Sequence, residues 1–426
     1  QAGSALEPAP DALEGTVVTA PDVVTPHTST DRRRRVSNAA VIAICALVTV
    51  MEGYNLIVYG AVVPLLLADR GLGIGPGTAG IVGSLVYVGM LVGALSAGVL
   101  GDRLGRQPVL AVSVSLFLLG AVWAAVAGGA VGLGGARLLA GLGVGGAVSS
   151  ALAMARDHAP RHRSSLTVTI TMAGIPVGGT LAALVGMYVL PRFGWRPMFA
   201  VGAVLTALIL LVVLAVRLGE RPSVPAGARR ASLGALFTRR RALVALLITA
   251  AAAPNMFTWF GLNTWMTEAM AQLDYPLTSA LLFAMTLTLG AIAGSFLTAG
   301  WADRWGPAKV GVVTAACTVA GLGGIALGIR WTPLLVLCIA LMGMGGHTTI
   351  NLINSAASIL FPEHLRGTAI GWTNSSSYLG AIGPAMGGLV LSAGFGPYGV
   401  FALYGASALV CLVIMTCFAV RTRHEL

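Results

Sequence analysis

The chain has 426 residues, of which 56% are hydrophobic and only 10% charged, with a formal net charge of +11 and a mean hydropathy of +0.86. A soluble protein carries about 25% charged residues, so this composition excludes a soluble globular protein and indicates a polytopic membrane protein. At about 20 apolar residues per crossing the chain has room for about a dozen helices, and its 57 glycines suit close helix approach in lipid.

In chain order, residues 1–35 are rich in Ala, Pro, Thr and Asp and have no apolar core, which reads as a disordered cytoplasmic tail and not a signal peptide. Apolar segments follow near 37–68, 77–99, 108–128, 131–156, 164–190 and 197–217, an N-terminal six-helix bundle over 36–217. Residues 218–241 interrupt the series with Arg221, Arg229, Arg230, Arg239, Arg240 and Arg241 among prolines and glycines, and read as a cytoplasmic linker. Six more segments, near 242–270, 277–301, 308–328, 332–358, 367–393 and 398–420, give a C-terminal bundle over 242–420 and leave 421–426 as a second tail. The expected fold is therefore an all-α membrane protein of twelve transmembrane helices in two six-helix halves. Of the 26 Lys and Arg, 21 fall in the tails and on one set of alternate loops; that bias places both termini in the cytoplasm. It also explains the positive charge as a topology signal, leaving no basic face for nucleic acid. Cys45, Cys317, Cys338, Cys411 and Cys417 all lie in apolar runs, implying neither a disulfide framework nor a zinc site.

The halves repeat. AGVLGDRLGR (97–106) aligns with AGWADRWGP (299–307), so that Asp102, Arg103 and Gly105 match Asp303, Arg304 and Gly306; Pro160 and Arg163 answer Pro362 and Arg366, and Gly145-Gly146 answers Gly345-Gly346. Two parallel repeats of this kind place a binding site between them near the bilayer midplane.

The stretch from Gly98 to Arg106, its weaker copy at 300–306 and the twelve spans resemble the major facilitator superfamily, over residues 37–420. EGYN (52–55), RDHAPRHR (156–163), GWRPMF (194–199) and GWTNSSSYLGAIGP (371–384) resemble the aromatic acid:proton symporters within it. Where that family carries D-G-x-D this chain has Glu52-Gly53-Tyr54-Asn55, and Tyr378 stands at the family's eleventh-span arginine. The resemblance implies alternating access by rocking of the halves, with a small aromatic acid as substrate and the proton as coupling ion, with no other cofactor. It further implies a monomer in a bacterial inner membrane.

Glu52 lies mid-span, where a charged side chain costs roughly 2.5–3.5 kcal/mol on insertion scales and marks function. It is placed to load and release a proton; the competing reading is a structural carboxyl paired to a neighbouring helix. Asn55 and Tyr59, at i+3 and i+7, share its helical face. Arg137, in RLLAGLGVGG (137–146), resembles the superfamily's fourth-span motif and either tunes Glu52, directly or through water, or snorkels to the surface. His347, Asn351 and Asn354 make a polar stripe on the tenth span that either lines the cavity or joins helices. Asn255, Trp259 and Asn263 on the seventh span and Asn374 and Tyr378 on the eleventh complete a set suited to a small planar ligand, whereas Trp265 and Trp195 read as interfacial belt residues. Asp102, Arg103, Arg106, Asp157, Arg163, Asp303 and Arg304 sit at cytoplasmic helix ends, where charge pairs would gate the inward side.

The chain has a single lysine, Lys309, and no G-x-x-x-x-G-K-[ST], and neither H-E-x-x-H nor G-x-S-x-G, which disfavours a primary pump or an enzyme. The rival within transport is a proton-coupled exporter of a drug or metabolite. The fifth-span AGIPVGG (173–179) places its proline differently from the drug antiporter signature, which disfavours that reading.

Overall fold

Apolar runs of this length can satisfy their backbone in lipid only as helices, and the computed structural model folds them so. It describes residues 34–35, 37–159, 164–218 and 233–422. Among these, eleven helices are long and apolar enough to cross a membrane. In the first half they are α1 (Asn38–Ala68), α2 (Pro76–Leu104), α3 (Arg106–Val126), α4 (Ala130–His158), α5 (Ser164–Phe193) and α6 (Arg196–Ala215). In the second they are α7 (Arg239–Ala271), α8 (Leu277–Trp305), α9 (Pro307–Ala326), α10 (Thr332–Leu360) and α13 (Gly396–Arg421). The eleventh crossing, expected as one helix over 367–393, is composite: α11 (Glu363–Ser377), a 3₁₀ segment at Tyr378–Ile382, and α12 (Gly383–Ser392). Its break has a local cause. Pro384 has no N–H to return to the preceding turn and its ring crowds that turn, and here it takes the first turn of a new helix, where neither is a cost. Gly380 and Gly383 lie against the backbone of α7 at Met256 and Phe257, where a side chain would collide.

A two-residue parallel bridge pairs β1 (Arg34–Arg35) with β2 (Val216–Arg217), and the Gln107 side chain bonds Val213, Val216 and Leu218, fastening the end of α6 to the start of α3. Within the stretch expected as linker, residues 233–237 form a 3₁₀ turn and α7 begins at Arg239. The remainder of that stretch from 219 to 232, the tail up to residue 33 and residues 423–426 lie outside the described residues.

The repeat is physical. Gly105 and Gly306, at the α2–α3 and α8–α9 corners, have φ of 90° and 83°, a conformation that residues bearing a Cβ rarely adopt. Gly141 of α4 lies on the Val86 carbonyl of α2, and Gly343 of α10 on the Leu287 carbonyl of α8. Gly143 meets Ser113 and Phe117 of α3 as Gly345 meets Thr314 and Thr318 of α9. The equivalent glycines are thus 141 with 343 and 143 with 345, so the pairing of Gly145-Gly146 with Gly345-Gly346 is displaced by two residues. Gly141→Leu would drive a side chain into that carbonyl. Overpacking of this sort costs about 1–3 kcal/mol, so the variant is expected to lower folded yield and melting temperature. Gly98→Leu, at a glycine with open space around it, should leave both unchanged in size-exclusion and thermal-melt assays.

The bundle has a terminal face, where α1 begins and α13 ends, and an opposite far face. Among the described residues, the hydrogen bonds and close glycine approaches between the halves lie at mid-depth or toward the far face. Thr180 and Thr288 hydroxyls meet at 3.0 Å, Gly60 abuts Asn263, and Gly179 abuts Thr288. The far side of the seam is therefore closed.

Candidate functional site

Glu52 comes from the middle of α1, where Gly53 lets α1 lie directly on Ile175 of α5. That close approach fixes the rotation of α1 and turns Glu52 toward the seam. The carboxyl is 2% exposed, and its Oε2 has no hydrogen-bond partner. Tyr378, on the broken eleventh crossing of the other half, lies within electrostatic range of it. Neither a lipid-facing position nor a structural ion pair describes this acid.

Arg137 projects from α4 toward α1. Its Nη1 donates to the Asn55 carbonyl at 2.8 Å, and its guanidinium lies 4.8 Å from the centre of the Tyr59 ring. Asn55 is three residues from Glu52, or about 4.5 Å along the helix. Arg137 is 3% exposed, so it does not snorkel, and its Nε has no partner. Among the described residues no carboxylate forms an ion pair with it; the two bridges present are Arg106–Asp157 and Arg196–Asp69. The direct Arg137–Glu52 pair admitted by sequence reasoning is absent from this structure.

Asn55 contributes its carbonyl rather than its amide. The side chain bonds Met51 of its own helix and packs over Gly202 of α6, away from the seam. Tyr59 is fully buried and donates to the Ala79 carbonyl at 2.6 Å, which leaves its ring face to Arg137. The face expected to carry acid, amide and phenol together therefore holds the acid and the phenol ring.

The opposite wall belongs to α7 and α10. Gly346 allows the Trp259 ring to lie against α10, and His347 tilts toward the same ring at 5.5 Å between centroids. Asn255 holds the two helices in register by donating to the Gly346 carbonyl at 2.9 Å. His347 Nδ1 is buried without a partner. Asn354 and Asn374 bond each other at 3.0 Å, joining α10 to α11, and Asn351 is half-buried one turn along the same stripe. Asn263 donates to the Trp259 carbonyl and has an unpartnered Oδ1; with Ile57, Ala61 and Ala183 the residue lines a small pocket across the seam.

Sequence reasoning missed Tyr87, which stacks on Phe260 of the other half with centroids 3.9 Å apart. It interacts with Arg137 as well. Glu268, a second carboxyl within a span, is buried near the far end of α7 and accepts a bond from Gln272 at 2.7 Å. The belt reading of two tryptophans fails: Trp265 is fully buried and donates to the Pro384 carbonyl at 2.7 Å, while Trp195 is buried and donates to Asp69. Both belong to helix packing. At the terminal face Arg106 pairs with Asp157, whereas Arg103, Asp303 and Arg304 are exposed; Arg163 and the side chain of Asp102 lie outside the described residues.

The sequence matches the Major Facilitator Superfamily over residues 45–382. It is 34% identical to the gentisate transporter of Corynebacterium glutamicum, over 86% of this chain and 84% of that one. It is 27% identical to the benzoate transport protein of Acinetobacter baylyi, over 83% of each. In fold it resembles the D-xylose–proton symporter, with a TM-score of 0.69 at 17% identity, covering 89% of this chain and 97% of that one. A bacterial homologue of the lysosomal transporter Spinster, in an inward-facing unoccupied conformation, has a TM-score of 0.70 at 15% identity, covering 91% of this chain and 97% of that one. The repeated glycine corners, the two halves closed along one side of a seam and the match over most of the sequence agree: the chain is a multi-pass membrane protein of the Major Facilitator Superfamily, a family of transporters and not of enzymes.

Proposed function

We propose that this chain is a proton-coupled symporter that takes up a small aromatic acid, of the benzoate or hydroxybenzoate kind, from outside the cell. In this reading the terminal face is cytoplasmic, as the 21 Lys and Arg that the sequence assigns to that side support, and the membrane is the inner one of a bacterial cell. Relatives named for gentisate and benzoate transport support the substrate class.

One observation carries the reading. Two oppositely ionisable groups are buried here, Glu52 and an Arg137 held on the Asn55 carbonyl three residues further along α1, each with an atom that no protein group satisfies. An unpaired buried charge is costly, and the partners that relieve it are a proton for Glu52 and a carboxylate for the guanidinium, whose planar fork suits that group. Trp259 and Tyr378 flank the ring of the substrate, with His347, Asn255 and Asn351 on its polar edge.

Charge balance then produces coupling. With neither ligand, Glu52 carboxylate and Arg137 cancel. With both, the substrate carboxylate cancels Arg137 and Glu52 is neutral. Either ligand alone leaves a net unit charge, with His347 as the neutral imidazole. A charge at mid-membrane costs roughly 2.5–3.5 kcal/mol, so half-loaded carriers change face on the order of 100-fold more slowly. One proton accompanies each anion.

The test is uptake of labelled gentisate and benzoate into proteoliposomes under an imposed pH gradient. Accumulation above the equilibrium level, abolished by a protonophore, is the expected result. Uptake that never exceeds equilibrium contradicts proton coupling, and thermal stabilisation by lipophilic cations alone contradicts the substrate class.

A further inference from the structure

Beyond the site, the far face is fastened by two helix ends that serve one another. Gly77, Gly80, Ser84 and Tyr87 form one stripe of α2, at i, i+3, i+7 and i+10. Gly77 is in the first turn of α2, where an N–H has no acceptor in its own helix. It donates instead to the Ser392 hydroxyl at the end of α12, at 2.8 Å. The start of α12 has the same need. The Gly383 N–H goes to Gly380 and Pro384 has none; the next N–H, on Ala385, donates to the Ser84 hydroxyl at 3.1 Å. The two backbones come this close because Gly80 faces Pro384 and Gly388 faces Pro76; a methyl at either would strike a carbonyl.

A helix cap ordinarily comes from residues beside the helix it serves. Here each cap comes from the other half of the molecule. We propose that Ser84 and Ser392 form an exchanged pair of helix caps that latches the outer side of the carrier and is released each time the halves part toward the outside. The proposal rests on the preceding section only for which face is outer. Release transfers both N–H groups to water entering the opened seam. The net value of such a bond, about 0.5–1.5 kcal/mol, corresponds to roughly a two- to tenfold bias per cap toward the closed outer side. The Ser84 bond, two turns inside, carries more of that bias than the Ser392 bond at the exposed rim. The break that creates the α12 end also carries Tyr378, in electrostatic range of Glu52, so the crossing that holds one side of the latch also faces the proton site on α1.

The test uses the detergent-solubilised full chain, in which a thiol reagent reaches both faces and neither substrate nor gradient is needed. Ala61, 3% exposed beside the seam pocket, becomes the reporter as Ala61→Cys, with the parent's five cysteines as background. Ser84→Ala is expected to raise the modification rate about two- to tenfold and Ser392→Ala by the lower end of that range, the double variant exceeding both. Ser84→Thr, which keeps the hydroxyl, should restore the parental rate. An unchanged rate in the Ser84→Ala and double variants overturns the proposal. So does an equal rise at Ala136→Cys, fully buried within the first half, because that reports general loosening. Failure here leaves the uptake experiment untouched, and failed uptake leaves the latch standing.

Discussion

Glu52→Gln is expected to abolish proton-driven accumulation while leaving exchange of labelled for unlabelled substrate close to the parental rate. In this variant the substrate-loaded site remains neutral, since the carboxylate still cancels Arg137. Loaded carriers therefore cross in both directions, and exchange needs nothing more. The empty carrier has lost its balance: Arg137 stands alone, and the cost of moving a bare charge through mid-membrane slows its return on the order of 100-fold. Net uptake requires that return and fails. Proteoliposomes preloaded with unlabelled acid measure exchange; the same vesicles with a pH gradient and no internal acid measure accumulation. Full accumulation by Glu52→Gln would reject Glu52 as the coupling site, and loss of both activities in a well-folded variant would assign it to substrate binding.

Arg137→Gln is expected to lose exchange and accumulation together. Hydrogen bonds to charged groups contribute about 1.5–3 kcal/mol each, so losing the guanidinium should weaken binding of an aromatic carboxylate by roughly 10- to 100-fold. Without it the doubly loaded site is also left with the substrate's negative charge. A thermal melt separates this from a structural role. In the unliganded variant the cation is gone and Glu52, left without its counter-charge, takes up a proton and is buried as the neutral acid, so the variant should melt near the parental temperature, while the stabilisation produced by added substrate disappears. Arg137→Lys keeps the charge and loses the fork, and should recover part of the exchange rate. A variant that melts well below the parent, yet still responds to substrate, would make Arg137 a packing residue.

The bundle was legible in the sequence because its determinants are local. Apolar runs, the arginines of the terminal face and the corner glycines Gly105 and Gly306 each act within one crossing or one loop. The buried position of Glu52 was legible too, since a carboxyl in the middle of an apolar run announces itself. The eleventh crossing was misread as continuous, although Gly380, Gly383 and Pro384 carried the signal for a broken helix. What the sequence hides is which neighbour a side chain meets. Asn55 shares a helical face with Glu52 by spacing, yet the rotation of α1 against α5 and α6 sends its amide to Gly202. Trp265 has the composition of an interfacial residue and is buried because Pro384, 119 positions away, offers an acceptor. Tyr87 with Phe260, and Ser84 with Ala385, are pairs between the halves that no local pattern reports.

Driving uptake separately with a pH gradient and with a membrane potential bears hardest on the charge balance shared by Glu52 and Arg137. One proton moving with one monovalent carboxylate carries no net charge. A pH gradient alone, with the potential clamped at zero, should therefore accumulate the acid, and an inside-negative potential alone at equal pH should not. Accumulation driven by the potential alone would mean that more than one positive charge accompanies each anion, and would contradict a single carboxyl as the coupling group.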